Sequence, residues 1–141
     1  MIQVVPFKAE HLAAIQLQAA QAQLSDWVTR DQGLALEEQN SYTALVDGEP
    51  VAAAGIIHQW MGRSLAWAFI GDIGPSTFLQ VHRAVKQFLD ECYVDRIEMT
   101  VDCDFPQGHR WARLLGFEME AERMRRYTPD GRDCALYARL A

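Results

Sequence analysis

Residues 96–117 read RIEMTVDCDFPQGHRWARLLGF, and the fold turns on how this stretch divides. Residues 96–101 have the β-branched, alternating character of a strand. Pro106 then suits the first turn of a helix, where its missing N–H would have had no partner anyway. The helix runs over about 106–115 and stops at Gly116, which stands where a helix C-cap favours a left-handed residue. Strand, short exit through Asp102, Cys103 and Asp104, then helix is the grammar of an α/β fold rather than of a bundle or a sandwich.

Working back toward the N-terminus, Phe78, Val81, Val85, Phe88 and Cys92 recur at helical spacing. Gln80, Arg83, Lys86 and Asp90 lie away from that stripe, and Pro75 and Ser76 stand where the helix can begin. Before it come three strand signals, at 41–46, 51–60 and 64–70. Asp47-Gly48 separates the first two with a dipeptide that favours a tight hairpin turn, and Met61-Gly62-Arg63 separates the last two. A strand, a crossing helix and a further strand predict that 66–70 pairs parallel with 97–101. The N-terminal stretch gives a short strand over 2–7 and a helix over about 9–24, with Leu12, Ile15, Ala19 and Ala22 on one face. Ser25 and Asp26 are good helix caps, so a second short helix is expected from there, breaking near Gly33. Beyond residue 116, 117–127 and 134–140 flank Pro129-Asp130-Gly131 as a final hairpin.

The expected architecture is a single α/β (α+β) domain over 1–141, in the order β-α-α-β-β-β-α-β-α-β-β. Its sheet is mixed, mostly antiparallel and twisted, of about seven strands, with helices on both faces. No internal repeat, linker or low-complexity segment interrupts the 141 residues. No apolar run reaches the roughly 20 residues that span a bilayer, so no membrane association is expected. The first residues lack the basic and apolar regions of a signal peptide. Three separated cysteines, Cys92, Cys103 and Cys134, give neither a disulfide framework nor zinc spacing. These features point to a reduced, cytoplasmic setting. A formal charge of −6 makes nucleic acid a poor partner, although Arg110, Arg113, Arg123, Arg125 and Arg126 form a local basic cluster.

The element order, with His109-Arg110-Trp111-Ala112-Arg113-Leu114-Leu115-Gly116-Phe117 after residues 97–101, resembles the GNAT superfamily of N-acetyltransferases. That family's fourth helix ends in a similar Leu-Gly-Phe stop, and Ala66-Trp67-Ala68-Phe69-Ile70-Gly71 sits where its fourth strand receives the pantetheine arm of CoA. The order matches over nearly the whole chain, and the residue match is confined to its last third. The string Asp104-Phe105, Gly108 to Trp111, Leu115 to Phe117, Tyr127, Asp130-Gly131 and Tyr137-Ala138-Arg139 is closer still to GNAT-like proteins of tailed phages and prophages. The superfamily resemblance implies an acetyl-CoA-dependent acyl transfer to a small-molecule or peptide amine. The phage resemblance implies an inactive, virion-associated protein whose partners are virion or host proteins. The residues leave both open.

In GNAT enzymes the fourth and fifth strands diverge to make the cofactor crevice. The resemblance places Phe69, Ile70 and Gly71 on one wall, with Asp104 and Phe105 on the other. The pyrophosphate would meet backbone N–H groups and hydroxyls at Gly74, Ser76 and Thr77, where a helix N-terminus favours anions. Arg110, one turn from Arg113, would reach an adenylate phosphate. The chain departs from the family there: the usual basic residue and second glycine are missing, Asp72 adds a carboxylate, and Pro75 removes a donor. The family's helix-borne tyrosine acid corresponds to Ala112. Asp102, Asp104 and His109 are the remaining catalytic candidates, with a histidine suited to proton transfer near neutral pH. His109 also reads as an ordinary first-turn residue. Trp111 is expected to be largely buried in the core, and His58, His82 and Glu98 have no assigned role.

Overall fold

A computed structural model describes residues 1–17, 21 and 30–141. Seven strands form one sheet in the order β1-β2-β3-β4-β5-β7-β6. They are β1 Gln3–Pro6, β2 Asn40–Val46, β3 Glu49–Trp60, β4 Arg63–Ile70, β5 Arg96–Asp102, β6 Glu118–Met124 and β7 Cys134–Leu140. The helices among the described residues are α1 Ala9–Ala14, α2 Arg30–Glu37, α3 Pro75–Glu91 and α4 Pro106–Leu114. The element order is the expected one, and so is the mixed, mostly antiparallel sheet. The chain divides into two compact parts, Met1–Ile57 with Trp67–Asp90, and His58–Ala66 with Glu91–Ala141.

In the first part β1 and β2 run antiparallel, as do β2 and β3. The turn at Asp47-Gly48 has both residues at positive φ, 51° and 82°, which is the hairpin geometry its sequence favours. Successive strand residues face opposite sides of a sheet, and Tyr42 and Thr43 show which helix covers each. Tyr42 meets Phe88 of α3 edge-on at 5.7 Å, while the buried Thr43 Oγ1 lies 2.8 Å from His11 Nδ1 of α1. Helices therefore cover both faces here, as expected. Phe7, Ile15 and Ala53 form a buried cluster with Leu12, Leu17, Leu36 and Trp67 packed against it.

Two N-terminal expectations need correction. The helix expected over 9–24 ends at Ala14, and Ile15 already has extended dihedrals. Tertiary bonds outweigh helix propensity at this point. Gln16 O accepts from Asp72 N–H at 2.8 Å, and Leu17 forms an antiparallel bridge with Gly71. Ala19, Ala22, Ser25 and Asp26 lie outside the described residues. The second helix does not break at Gly33 but runs through it. A Cβ at Gly33 would sit 3.3 Å from Ala9 Cβ, so the glycine serves close approach of α1 and α2 rather than helix termination.

In the second part β5 and β7 pair antiparallel along their full lengths, and β6 joins the outer edge of β7. β4 pairs parallel with β5, but through Arg63, Ser64 and Leu65 opposite Arg96, Ile97 and Glu98. The parallel orientation is as expected, but the expected pairing of 66–70 with 97–101 is corrected, because the ladder lies at the start of both strands. α4 packs its narrow face inward. Gly108 and Ala112 are buried, Ala112 completely, whereas Trp111 is only partly so. The phase of α4 is thus set by its small residues, which let it approach β5. A Cβ on Gly108 would fall 2.7 Å from the Phe105 ring and 2.8 Å from Val101 Cγ1. Gly116 takes φ +91° and ends the helix as its position requires.

Candidate functional site

Phe69, Ile70, Gly71, Gly74, Ser76 and Thr77 all lie in the first part, on the end of β4 and the turn into α3. Phe69 and Ile70 are buried and anchor the strand end. Gly71 is a steric requirement: its N–H donates to Val51 O at 2.8 Å, and a Cβ there would lie 2.6 Å from that same oxygen. Asp72 N–H is already committed to Gln16 O, which leaves the Asp72 carboxylate exposed beside the turn. Gly74 differs from Gly71 in kind. A Cβ on it would meet nothing within 4 Å, so it faces open space.

The first helical bond of α3 runs from Phe78 N–H to Gly74 O at 3.0 Å. The preceding N–H groups of Ser76 and Thr77 therefore have no acceptor inside the helix. Ser76 is exposed and Thr77 half-buried, and Pro75 contributes no donor. The turn can present an anion with two backbone donors and two hydroxyls, next to one carboxylate that opposes it.

Sequence reasoning missed Gln21. Its side-chain Nε2 donates to Ala68 O at 2.9 Å, and its Oε1 accepts from Ile70 N–H at 2.8 Å. The one signal was glutamine at 16, 18, 21 and 23 among alanines, in a stretch that otherwise reads as an apolar helix face.

Asp102, Asp104, Phe105, His109 and Arg110 lie together in the second part, where β5 passes into α4. Asp102 pairs with Arg132 at 3.0 Å, and its other oxygen accepts from Asp104 N–H at 2.9 Å. Its carboxylate thus builds the turn. The Asp104 side chain is exposed. Phe105 caps α4, with Gly108 N–H donating to its carbonyl at 3.1 Å. His109 is held at both nitrogens. Nε2 lies 3.3 Å from Cys103 O, which can only accept, so Nε2 carries the proton. In the neutral ring Nδ1 then accepts from the Tyr137 hydroxyl at 2.7 Å, and Tyr137 is fully buried. Arg110 and Arg113 are exposed.

The same part contains the most enclosed carboxylate among the described residues. Glu98 is 7% exposed and pairs with both Arg63 and Arg96. The Arg63 hydrogen bond, then that of Arg96, hold its carboxyl below the ordinary carboxylate range against the opposing effect of burial. His58 Nδ1 lies 3.0 Å from the Ser64 hydroxyl, and Ser64 is fully buried, so this pair closes a β3–β4 contact rather than exposing a nucleophile. Burial raises the thiol of Cys134 to about 11, with Asp102 adding to it, and raises those of Cys92 and Cys103 as well. Thiolate chemistry is disfavoured at each. Among the described residues no cluster of histidine, cysteine and carboxylates fits a metal ion, and no helix is long and apolar enough to cross a membrane.

No protein-family model and no curated protein matches the sequence. Solved structures do match its fold. Ard1 from Thermoplasma volcanium aligns with a TM-score of 0.80 at 18% identity, covering 99% of this chain and 97% of that one. An N-acetyltransferase from Staphylococcus aureus aligns at 0.75 and 9% identity, covering 99% and 97%. The protein yncA from Salmonella typhimurium, solved with its cofactor acetyl-CoA, aligns at 0.74 and 13% identity, covering 99% and 93%. The chain has the fold of the GNAT acetyltransferases.

Proposed function

We propose that this chain is an acyl-CoA-dependent N-acyltransferase that takes acetyl-CoA and an amine. The observation that carries the reading is the end of β4. Its main-chain groups at Ala68 and Ile70 accept and donate one hydrogen bond each to a carboxamide. A strand edge that binds an amide in this way fits the amides of a pantetheine arm. The adjoining turn fits phosphates through Gly74, Ser76 and Thr77, with fewer contacts than the fold's usual loop and with Asp72 opposing them. The likeness to a fold solved with acetyl-CoA supports the same assignment.

When bound, acetyl-CoA supplies an acyl group activated as a thioester. The chain's own part is chiefly to bind and orient, which by itself removes much of the entropic barrier to a bimolecular attack. In this reading Ile70 N–H and Ala68 O hold a pantetheine amide, while the buried Phe69 and Ile70 side chains give the strand end a dry wall. In the second part Asp102 is paired with Arg132 and His109 is bonded at both nitrogens, so neither side chain is poised to take a proton.

Asp72, Pro75 and the fully enclosed Ala112 favour a second reading, a non-enzymatic protein of this fold with a structural or interaction role, as in phage virions. A thiol-release assay with acetyl-CoA and a panel of primary amines separates the two. Amine-dependent CoA release that falls at least tenfold in Gly74→Asp, which sets a carboxylate on the open turn, supports the transferase. No release above the uncatalysed rate with any amine supports the structural role.

A further inference from the structure

Gln21 takes no part in the reaction just described, yet it occupies the strand edge that the reaction needs. Gly71 N–H bonds Val51 of β3, so along β4 the residues of that parity face β3. Ala68 and Ile70 have the opposite parity and face the other edge. The ladder to β5 accounts for that edge only as far as Leu65. At Ala68 and Ile70 it is closed by the Gln21 carboxamide, which donates to one residue and accepts from the other. A primary amide is here doing what the peptide group of an added strand would do.

We propose that Gln21 is a built-in, displaceable plug: its side chain occupies the amide-binding edge of β4 and must leave before an acyl-CoA pantetheine amide is bound there. The inference rests on the acyl-CoA reading above and adds regulation to it. Two hydrogen bonds to Gln21 are exchanged for two to the ligand, so the strand edge contributes little net affinity while the plug is present. The apparent dissociation constant exceeds the intrinsic one by the reciprocal of the fraction of molecules with the edge open. Any modification or partner that draws Gln21 away raises affinity without touching the site.

The test uses the full chain, Gln21→Ala and Gln21→Glu, each first shown by circular dichroism to be folded. Glutamate keeps the acceptor for Ile70 N–H but sets a carboxylate against Ala68 O, so it opens the plug without removing the side chain's bulk. Acetyl-CoA is titrated into all three, and in parallel the adenosine diphosphate half of CoA, which has no amide arm. Acetyl-CoA is expected to bind Gln21→Ala about tenfold tighter than wild type, the change for roughly 1.4 kcal/mol. Gln21→Glu should fall between, and the nucleotide half should bind all three alike. Without ligand, Ile70 N–H exchange with solvent should quicken in Gln21→Ala.

Equal or weaker acetyl-CoA binding by Gln21→Ala overturns the plug and leaves the transferase reading intact. So does unchanged exchange at Ile70, or an equal gain for the nucleotide half. If neither wild type nor the variants bind acetyl-CoA, the transferase reading falls and takes the plug with it.

Discussion

Replacing Glu98 by alanine removes the acceptor that two arginines share inside the second part of the chain. Glu98 is 7% exposed, whereas the Arg63 and Arg96 side chains are 27% and 31% exposed. Deleting one member of a fully buried pair costs about 3–5 kcal/mol, because a charge is left without compensation. Both arginines here retain some water, and Arg96 keeps a second partner in Glu120 at 2.9 Å. The cost of Glu98→Ala should therefore lie below that range, at about 2–3 kcal/mol. Urea denaturation of the two proteins gives this directly, provided the slope with denaturant is unchanged.

The pH dependence is the sharper half of the test. Arg63 and Arg96 depress the folded-state carboxyl of Glu98, so its contribution is fully present above the unfolded-state value of about 4.3 and is lost as pH falls through the lower folded value. The stability gap between wild type and Glu98→Gln should hold from pH 7 to about 5 and shrink below about 4. A Glu98→Ala cost under about 1 kcal/mol, or a gap that does not narrow in acid, would refute the buried ion-pair account.

Gly108→Ala gains helix propensity of up to about 1 kcal/mol, but its methyl would press on Phe105 and Val101. We expect a net loss of about 1–2 kcal/mol in denaturation, and a net gain would show that α4 has room to shift. Tyr137→Phe removes the hydroxyl that donates to His109 and should cost about 1–2 kcal/mol, read from the same denaturation curves. The Cys134 thiol, buried and raised to about 11, should resist a thiol reagent at pH 8 until the protein is unfolded. Rapid native-state labelling of Cys134 would contradict its placement.

The strands and the two longer helices were legible because each carries a local signal: alternation, the Asp47-Gly48 turn, the stripe from Phe78 to Cys92, and Gly116 as a stop. What was misread depends on partners distant in sequence. The end of α1 follows from bonds that Gln16 and Leu17 make to residues 71 and 72, which no window around Ala14 contains. Gly33 looked like a helix breaker because its reason, the nearness of Ala9, is tertiary. Trp111 was expected to be largely buried and is part-buried, while the residues of α4 that close approach puts fully inward are Gly108 and Ala112. The turn from β4 into α3 was legible at residues 71–77, and Asp72 and Pro75 were visible in it as residues that disfavour a phosphate. Gln21 was invisible for a different reason: a glutamine in a helical pattern looks like a solvated residue until the strand edge it meets is known.

The most direct test of the central claim is a calorimetric titration of acetyl-CoA into wild type and Asp72→Arg, at low and at high salt. A site limited to Ser76, Thr77 and the β4 edge should bind wild type at roughly 0.1–1 mM, or about 4–5.5 kcal/mol. Asp72 is exposed beside the turn, so arginine there exchanges repulsion for attraction and should tighten binding at low salt, with the gain fading as salt screens it. Absence of heat in both proteins at millimolar acetyl-CoA, with no response to Asp72→Arg at either salt, would contradict the claim that this chain binds acyl-CoA.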